Sequence, residues 1–180
     1  MRIYIIGNAG SGKTTLAHML SKEFDLPVYS KDDILYARKF DITRSKEERI
    51  AMLRPIARNP DWIIEGGSAF WTISAIQRAD IIIELKTHRV VCISRALRRS
   101  VRRAFSRDRP RESIRGVFEL CKYIWDAEHP RKEHAQRYRK VMQHAKGQHI
   151  QVKTPEDLAL AKATMHLIRA SKVAPRKSSR

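Results

Sequence analysis

The chain has 180 residues, enough for one domain whose core needs no disulfide or metal staple, and no uninterrupted apolar stretch approaches the ~20 residues of a membrane span. The formal net charge is +18, and Cys92 and Cys121 stand apart from any C-x-x-C pair, so they read as reduced thiols of a cytoplasmic protein. Residues 1–80 hold 12 Lys/Arg against 10 Asp/Glu, or +2, whereas residues 81–180 hold 25 against 9, or +16. The basic half therefore faces either a polyanion or several phosphates held at once.

The first apolar run, residues 2–6, is β-branched and ends in Gly7-Asn8-Ala9-Gly10-Ser11-Gly12-Lys13-Thr14-Thr15. A strand that starts at residue 2 leaves no room for a signal peptide before it. Strand, glycine-rich turn and amphipathic helix in that order form the context of a phosphate-binding loop, and the spacing is G-x-x-x-x-G-K-T. The glycines let successive N–H groups converge on a phosphate, and the helix N-terminus adds unpaired donors. In this pattern residues 7–15 hold ATP, Lys13 reaches the β- and γ-phosphates and the Thr14 hydroxyl ligates Mg²⁺.

Leu16, Leu20 and Phe24 mark one helix face, and a short second strand, Pro27 to Ser30, runs into Lys31-Asp32-Asp33. Asp32 and Asp33 stand at the carboxyl edge where open α/β sheets bind ligands, and they equally suit the N-cap and first turn of a helix. Ser45-x-x-Glu48 is a capping box opening a helix through Arg58. The strand Trp62-Ile63-Ile64-Glu65 closes in Gly66-Gly67. An acid at such an end is placed to hold a magnesium-bound water or a substrate donor; it also fits a solvated edge, although the glycine pair implies close approach by another group.

Residues 68–78 form a short helix or turn before a fourth strand at 79–85. Residues 89–105 are helical, with Val90, Val91, Ile93, Ala96, Leu97 and Val101 as the apolar stripe and arginines on the other face. Pro110 breaks the chain, helices follow at 113–125 and 131–144, a fifth strand at 148–153, and a last helix from Pro155 to about Ile168. Residues 171–180 form a basic, disordered tail. The alternation of strands and helices predicts an α/β fold with a parallel sheet covered on both faces.

The guanine-selecting tetrapeptide N-K-x-D and a strand ending in D-E are both missing, which leaves a small kinase fold. Such a fold needs arginines to neutralise two phosphate-bearing substrates. In I-Y-I-I-G-N-A-G-S-G-K-T-T, P-V-Y-S-K-D-D-I, W-I-I-E-G-G, A-D-I-I-I-E-L, R-A-L-R-R and Y-I-W the chain resembles adenylate-kinase-like P-loop kinases, most closely the small bacterial DNA topology modulation (FlaR-like) proteins, over nearly its whole length. The resemblance implies a P-loop three-layer sandwich with a five-stranded parallel sheet over residues 1–170, an acceptor-binding insert at about 31–60 and an arginine-bearing lid at about 104–130. It also implies that Arg95 and Arg99 face the nucleotide, with Arg109 in the lid and Arg131 on its far side.

The sequence departs from long adenylate kinases in its short lid without zinc-ligand cysteines, in Glu65 for the usual aspartate and in Gly66-Gly67-Ser68 for the AMP-gripping stretch. The glycine pair resembles small-metabolite kinases of the shikimate or gluconate type instead. The expectation is a cytoplasmic Mg-ATP-dependent phosphotransferase, monomeric or homodimeric, with the acceptor between Asp32/Asp33 and Glu65-Gly66-Gly67. Glu65 and Thr14 are the metal candidates. The other reading is a nucleic-acid-associated protein using ATP as ligand or switch; weak electrostatic association with a nucleic-acid backbone is compatible with both.

Overall fold

The computed structural model describes residues 1–38, 42–104, 114–127 and 133–173. The main sheet comprises β1 (Arg2–Gly7), β2 (Val28–Ser30), β5 (Trp62–Glu65), β6 (Ile81–Leu85) and β7 (Gln148–Val152) in the order β2-β5-β1-β6-β7. Every pairing is parallel, and the registers Ser30↔Glu65, Ile5↔Glu65 and Gly7↔Leu85 bring the carboxyl ends to one edge. Two short strands, β3 (Tyr36–Arg38) and β4 (Ile42–Thr43), pair antiparallel outside this sheet. Nothing in the composition of that stretch announced them.

Both sheet faces are buried, as parallel connections require. Ile3, Ile5, Ile63, Ile81 and Ile83 pack on α1 (Lys13–Phe24) and α8 (Pro155–Val173) through Leu16, Leu20, Phe24, Ala161 and Met165. Tyr4, Ile6, Trp62, Ile64 and Ile82 face the other layer, built from α3 (Lys46–Arg58), α4 (Ile73–Arg78) and α7 (Glu133–Met142) with Leu53, Ile76 and Val141. Side chains alternate between layers along β1, so nearly every residue of the strand is apolar. Each fully buried isoleucine contributes on the order of 1.5–3 kcal/mol.

Three expectations are corrected. Helix α8 runs to Val173, so residues 171–173 are helical and only 174–180 of the expected tail lie outside the described residues. The N-cap of α2 (Lys31–Leu35) is Ser30, whose hydroxyl accepts from the Asp32 N–H at 3.3 Å, while Asp32 and Asp33 occupy the first turn. In α5 (Arg89–Ala104) the expected apolar stripe is buried only in part: Ala96 and the partly buried Ile93 pack together with Cys92 and Ile124 of α6 (Ile114–Asp126), while Val90, Val91, Leu97 and Val101 are exposed. Small side chains there let α5 approach the glycine-rich loop closely.

Candidate active site

The loop between β1 and α1 is built for an anion. Helix α1 starts from Gly12 in a left-handed conformation (φ 99°) with no side-chain cap and no acidic residue in its first turn, so its first N–H groups face outward unneutralised. Gly10 also has positive φ (76°), and a Cβ there would collide with the Cys92 carbonyl oxygen, so α5 rests directly on the loop. The Asn8 side chain fixes the loop from two sides, accepting from the Ala9 N–H at 2.8 Å and donating to the Ile124 carbonyl at 2.9 Å. Within the loop the Ser11 hydroxyl is buried with no hydrogen-bond partner among the described residues, packed against Gly7.

Lys13 donates to the Asn8 carbonyl at 2.7 Å. Burial pushes its pKa below the ordinary lysine value, and the carboxylates of Glu65 and Asp32 oppose that shift. The Thr14 hydroxyl donates to Glu65 Oε1 at 3.2 Å, and Glu65 is only 5% exposed at the end of β5. A hydroxyl beside a buried carboxylate is the hard-oxygen donor set that suits magnesium, which takes one or two protein oxygens and completes its shell with phosphate and water. Thr15 is exposed on the first turn of α1.

Arg95 on α5 reaches this loop: its Nη1 lies 3.4 Å from the carbonyl oxygens of Gly10 and Ser11. Arg99, one turn later, is exposed. Arg109 and Arg131 lie outside the described residues. Across the loop, Arg89 stacks on Trp125 with its guanidinium carbon 3.9 Å from the ring centroid, tying α5 to α6.

The comparisons bear on this arrangement at the level of fold. No family model and no curated protein matches the sequence. Among solved structures, the chain is similar to a shikimate kinase from Bacteroides thetaiotaomicron (17% identity, TM-score 0.56, covering 94% of this chain and 98% of that one). It is similar also to a shikimate kinase from Acinetobacter baumannii in complex with shikimate (18%, 0.54, covering 96% and 94%) and to a gluconokinase from Sinorhizobium meliloti (15%, 0.53, covering 94% and 97%). The fold is that of small P-loop kinases.

On this P-loop kinase fold, the expected acceptor residues divide. Asp32 is exposed on the first turn of α2, and its carboxylate opposes the downward shift that burial imposes on Lys13 and Lys31. Asp33 is exposed on the same first turn, and its carbonyl accepts from Arg44 Nη1 at 2.7 Å. Gly66 and Gly67 carry the side chain of Lys31: a Cβ at Gly66 would lie 2.5 Å from Lys31 Cβ, and one at Gly67 would lie 3.7 Å from its ammonium. Sequence reading passed over Lys31, Arg49 and Arg137. Lys31 stood within the quoted S-K-D-D, and the glycines opposite it were the signal that something long lies across them.

Proposed function

We propose that the chain is an ATP-dependent phosphotransferase that moves the γ-phosphoryl group of Mg-ATP to a small acceptor. The observation that carries this reading is the Thr14 Oγ1–Glu65 Oε1 contact of 3.2 Å beside the Lys13 ammonium, since it joins the loop and the neighbouring strand end into one hard-cation, polyphosphate-binding unit. The unneutralised start of α1 fits a nucleoside triphosphate there. Bound magnesium, held by Thr14 and Glu65, supplies neutralisation of phosphate charge.

The acceptor lies between Asp32 and Glu65-Gly66-Gly67. Its hydroxyl oxygen forms the new bond to the γ-phosphorus as the bond to the β–γ bridging oxygen breaks, leaving ADP. Asp32 takes up the hydroxyl proton, being an exposed carboxylate beside two lysines. Lys13 and Arg95 hold the phosphate charge, with Arg99, Arg109 and Arg131 as further arginines of the closing segment.

The resemblance to topology modulation proteins keeps a second reading in view, a nucleic-acid-associated protein. The exposed Arg98, Arg99 and Arg102 of α5 give it a physical basis as a basic surface. Filter binding to plasmid DNA at low and at physiological salt separates the two. A merely basic kinase releases DNA as salt rises.

The deciding experiment is coupled ADP release over nucleoside monophosphates, nucleosides, shikimate and gluconate, the last two being named by the structural neighbours. Stimulation above the water background by one of them, lost in Lys13→Ala, supports the proposal; no stimulation by any of them counts against it.

A further inference from the structure

Helices α5 and α6 leave much apolar surface uncovered. Among the described residues thirteen large apolar side chains are exposed, and seven of them sit on these two helices. Five of the seven form one surface. Val90, Leu97 and Val101 share a face of α5, and Phe118 and Trp125, two turns apart, share a face of α6; Phe118 is 70% exposed.

The contacts between the helices fix which way these rows point. Going round α5 from Cys92, whose carbonyl oxygen covers Gly10 of the phosphate loop, the helical turn brings first Ala96, then Arg89 and Ile93, then Leu97, Val90 and Val101. The middle group faces α6: Arg89 stacks on Trp125, and Ile93 and Ala96 pack with Ile124. Going round α6 from Leu120 and Ile124, which pack with Ala9 of the loop, Trp125 and then Phe118 follow. Both rows therefore border the seam between the helices on the side turned away from the loop.

The flanks of this surface are basic. Arg98 stands on the outer side of the α5 row, and Arg115 and Lys122 stand on the outer side of the α6 row, all three exposed, with Arg89 in the seam. Against these four cations are two carboxylates, Glu119, which pairs with Arg115 at 3.0 Å, and Asp126 at the end of α6. Apolar centre and basic flanks together select the occupant. A second copy of the chain would bring like charges face to face. A nucleic-acid backbone calls for cations and polar donors along the centre, where the valines, Leu97 and Phe118 stand. An anionic bilayer matches both parts, since its headgroups meet the flanks and its acyl boundary takes the apolar rows. Such docking lies in the headgroup plane, and no helix among the described residues is long and apolar enough to cross a membrane.

We infer that the α5–α6 pair docks the protein on an anionic phospholipid surface, with Leu97, Val101 and Phe118 entering the headgroup–acyl boundary and Arg98, Arg115 and Lys122 holding lipid phosphates. The phosphate loop lies on the opposite side of the pair, so the docked protein keeps its nucleotide site facing away from the bilayer. The inference stands apart from the kinase reading and uses none of the residues assigned to the reaction.

The test is co-sedimentation of the full chain, at physiological salt, with vesicles of phosphatidylcholine alone and of phosphatidylcholine mixed with phosphatidylglycerol. Wild type is expected to bind the mixed vesicles and not the uncharged ones. A Leu97→Ser/Phe118→Ser double variant keeps every charge, and both side chains are exposed, so its melting curve and Mg-ATP affinity should match wild type while its vesicle binding weakens ~10-fold or more. Arg98→Gln with Lys122→Gln leaves the apolar rows intact and should weaken binding by about 10-fold or more as well. No binding to the mixed vesicles, equal binding to phosphatidylcholine alone, or unchanged affinity in either double variant overturns the inference; the serine variant in particular exposes adsorption by net charge alone. Where vesicles fail to bind, retention of plasmid DNA or a concentration-dependent dimer that the serine variant loses assigns the face to nucleic acid or to a second copy instead.

Discussion

The Thr14 hydroxyl donates to Glu65 Oε1 across 3.2 Å, linking the first turn of α1 to the end of β5. The register Ile5↔Glu65 between adjacent strands sets this contact, because the strand that leads into the loop lies beside the strand that ends in the carboxylate. Removing either partner should therefore act on magnesium-dependent steps. Thr14→Ala and Glu65→Gln are each expected to lower turnover by about 10²-fold or more, the scale seen when one preorganised electrostatic group is removed. The glutamine keeps the volume of a buried side chain, so thermal unfolding should change little. Steady-state rates over a magnesium titration check the first point and a melting curve the second.

Gly10→Ala tests the seating of α5 on the loop. The new Cβ meets the Cys92 carbonyl oxygen at a residue whose φ is 76°, so a methyl group is both strained and obstructed. A loss of about 1–3 kcal/mol in stability is expected, with weaker nucleotide binding. Urea unfolding and nucleotide titration read the two effects separately.

Asn8 joins the loop to α6 through its 2.9 Å hydrogen bond to the Ile124 carbonyl. Asn8→Ala should cost about 1 kcal/mol. It should also raise amide hydrogen exchange in α6 more than in β1, because the sheet keeps its ladder whereas the helix loses its tie. Equal protection of α6 in both proteins would contradict this.

Glu84 gives the molecule an acid-sensitive joint away from the cleft. It is 4% exposed, and it accepts from Lys86 at 2.7 Å and from Gln151 at 3.1 Å, with His149 Nε2 also at 3.1 Å. Burial alone would raise its pKa, but the contacts with His149 and Lys86 and the nearby Tyr138 hydroxyl outweigh it and hold the pKa at about 2, below the ordinary 4.5. A depressed folded-state pKa contributes stability that is present above 4.5 and lost as pH falls from 4.5 through about 2. The contribution is on the order of 3 kcal/mol at neutral pH. Wild type should exceed Glu84→Gln in urea midpoint at pH 7, and the gap should shrink steadily below pH ~4.5.

How much of this was legible in the sequence follows from which interactions are local. The phosphate loop, the Ser45–Glu48 capping box and the start of α8 at Pro155 depend on neighbours within a few residues, and each stands in the structure as the residue types imply. Strands β1, β5 and β6 were legible because buried parallel strands are continuous apolar runs, whereas the edge strands β2 and β7 are short or mixed with polar residues and were read from their place between helices. The stripe of α5 was legible only in part, because a helix seated on a loop through Cys92 and Ala96 turns Ile93 and Ala96 inward and leaves Val90, Val91, Leu97 and Val101 outside. Lys31, Arg49 and Arg137 come from α2, α3 and α7, and only the packing of those helices onto one side of the sheet brings their charges together. No spacing along the chain encodes that.

The most direct measurement is a calorimetric titration of the purified protein with ATP, with and without magnesium, in wild type and in Glu65→Gln. Saturable binding that tightens markedly with magnesium in wild type, and loses that magnesium dependence in Glu65→Gln, is the predicted result. Absence of ATP binding, or an affinity indifferent to magnesium in both proteins, would contradict the reading of residues 7–15 and Glu65 as one magnesium–nucleotide site.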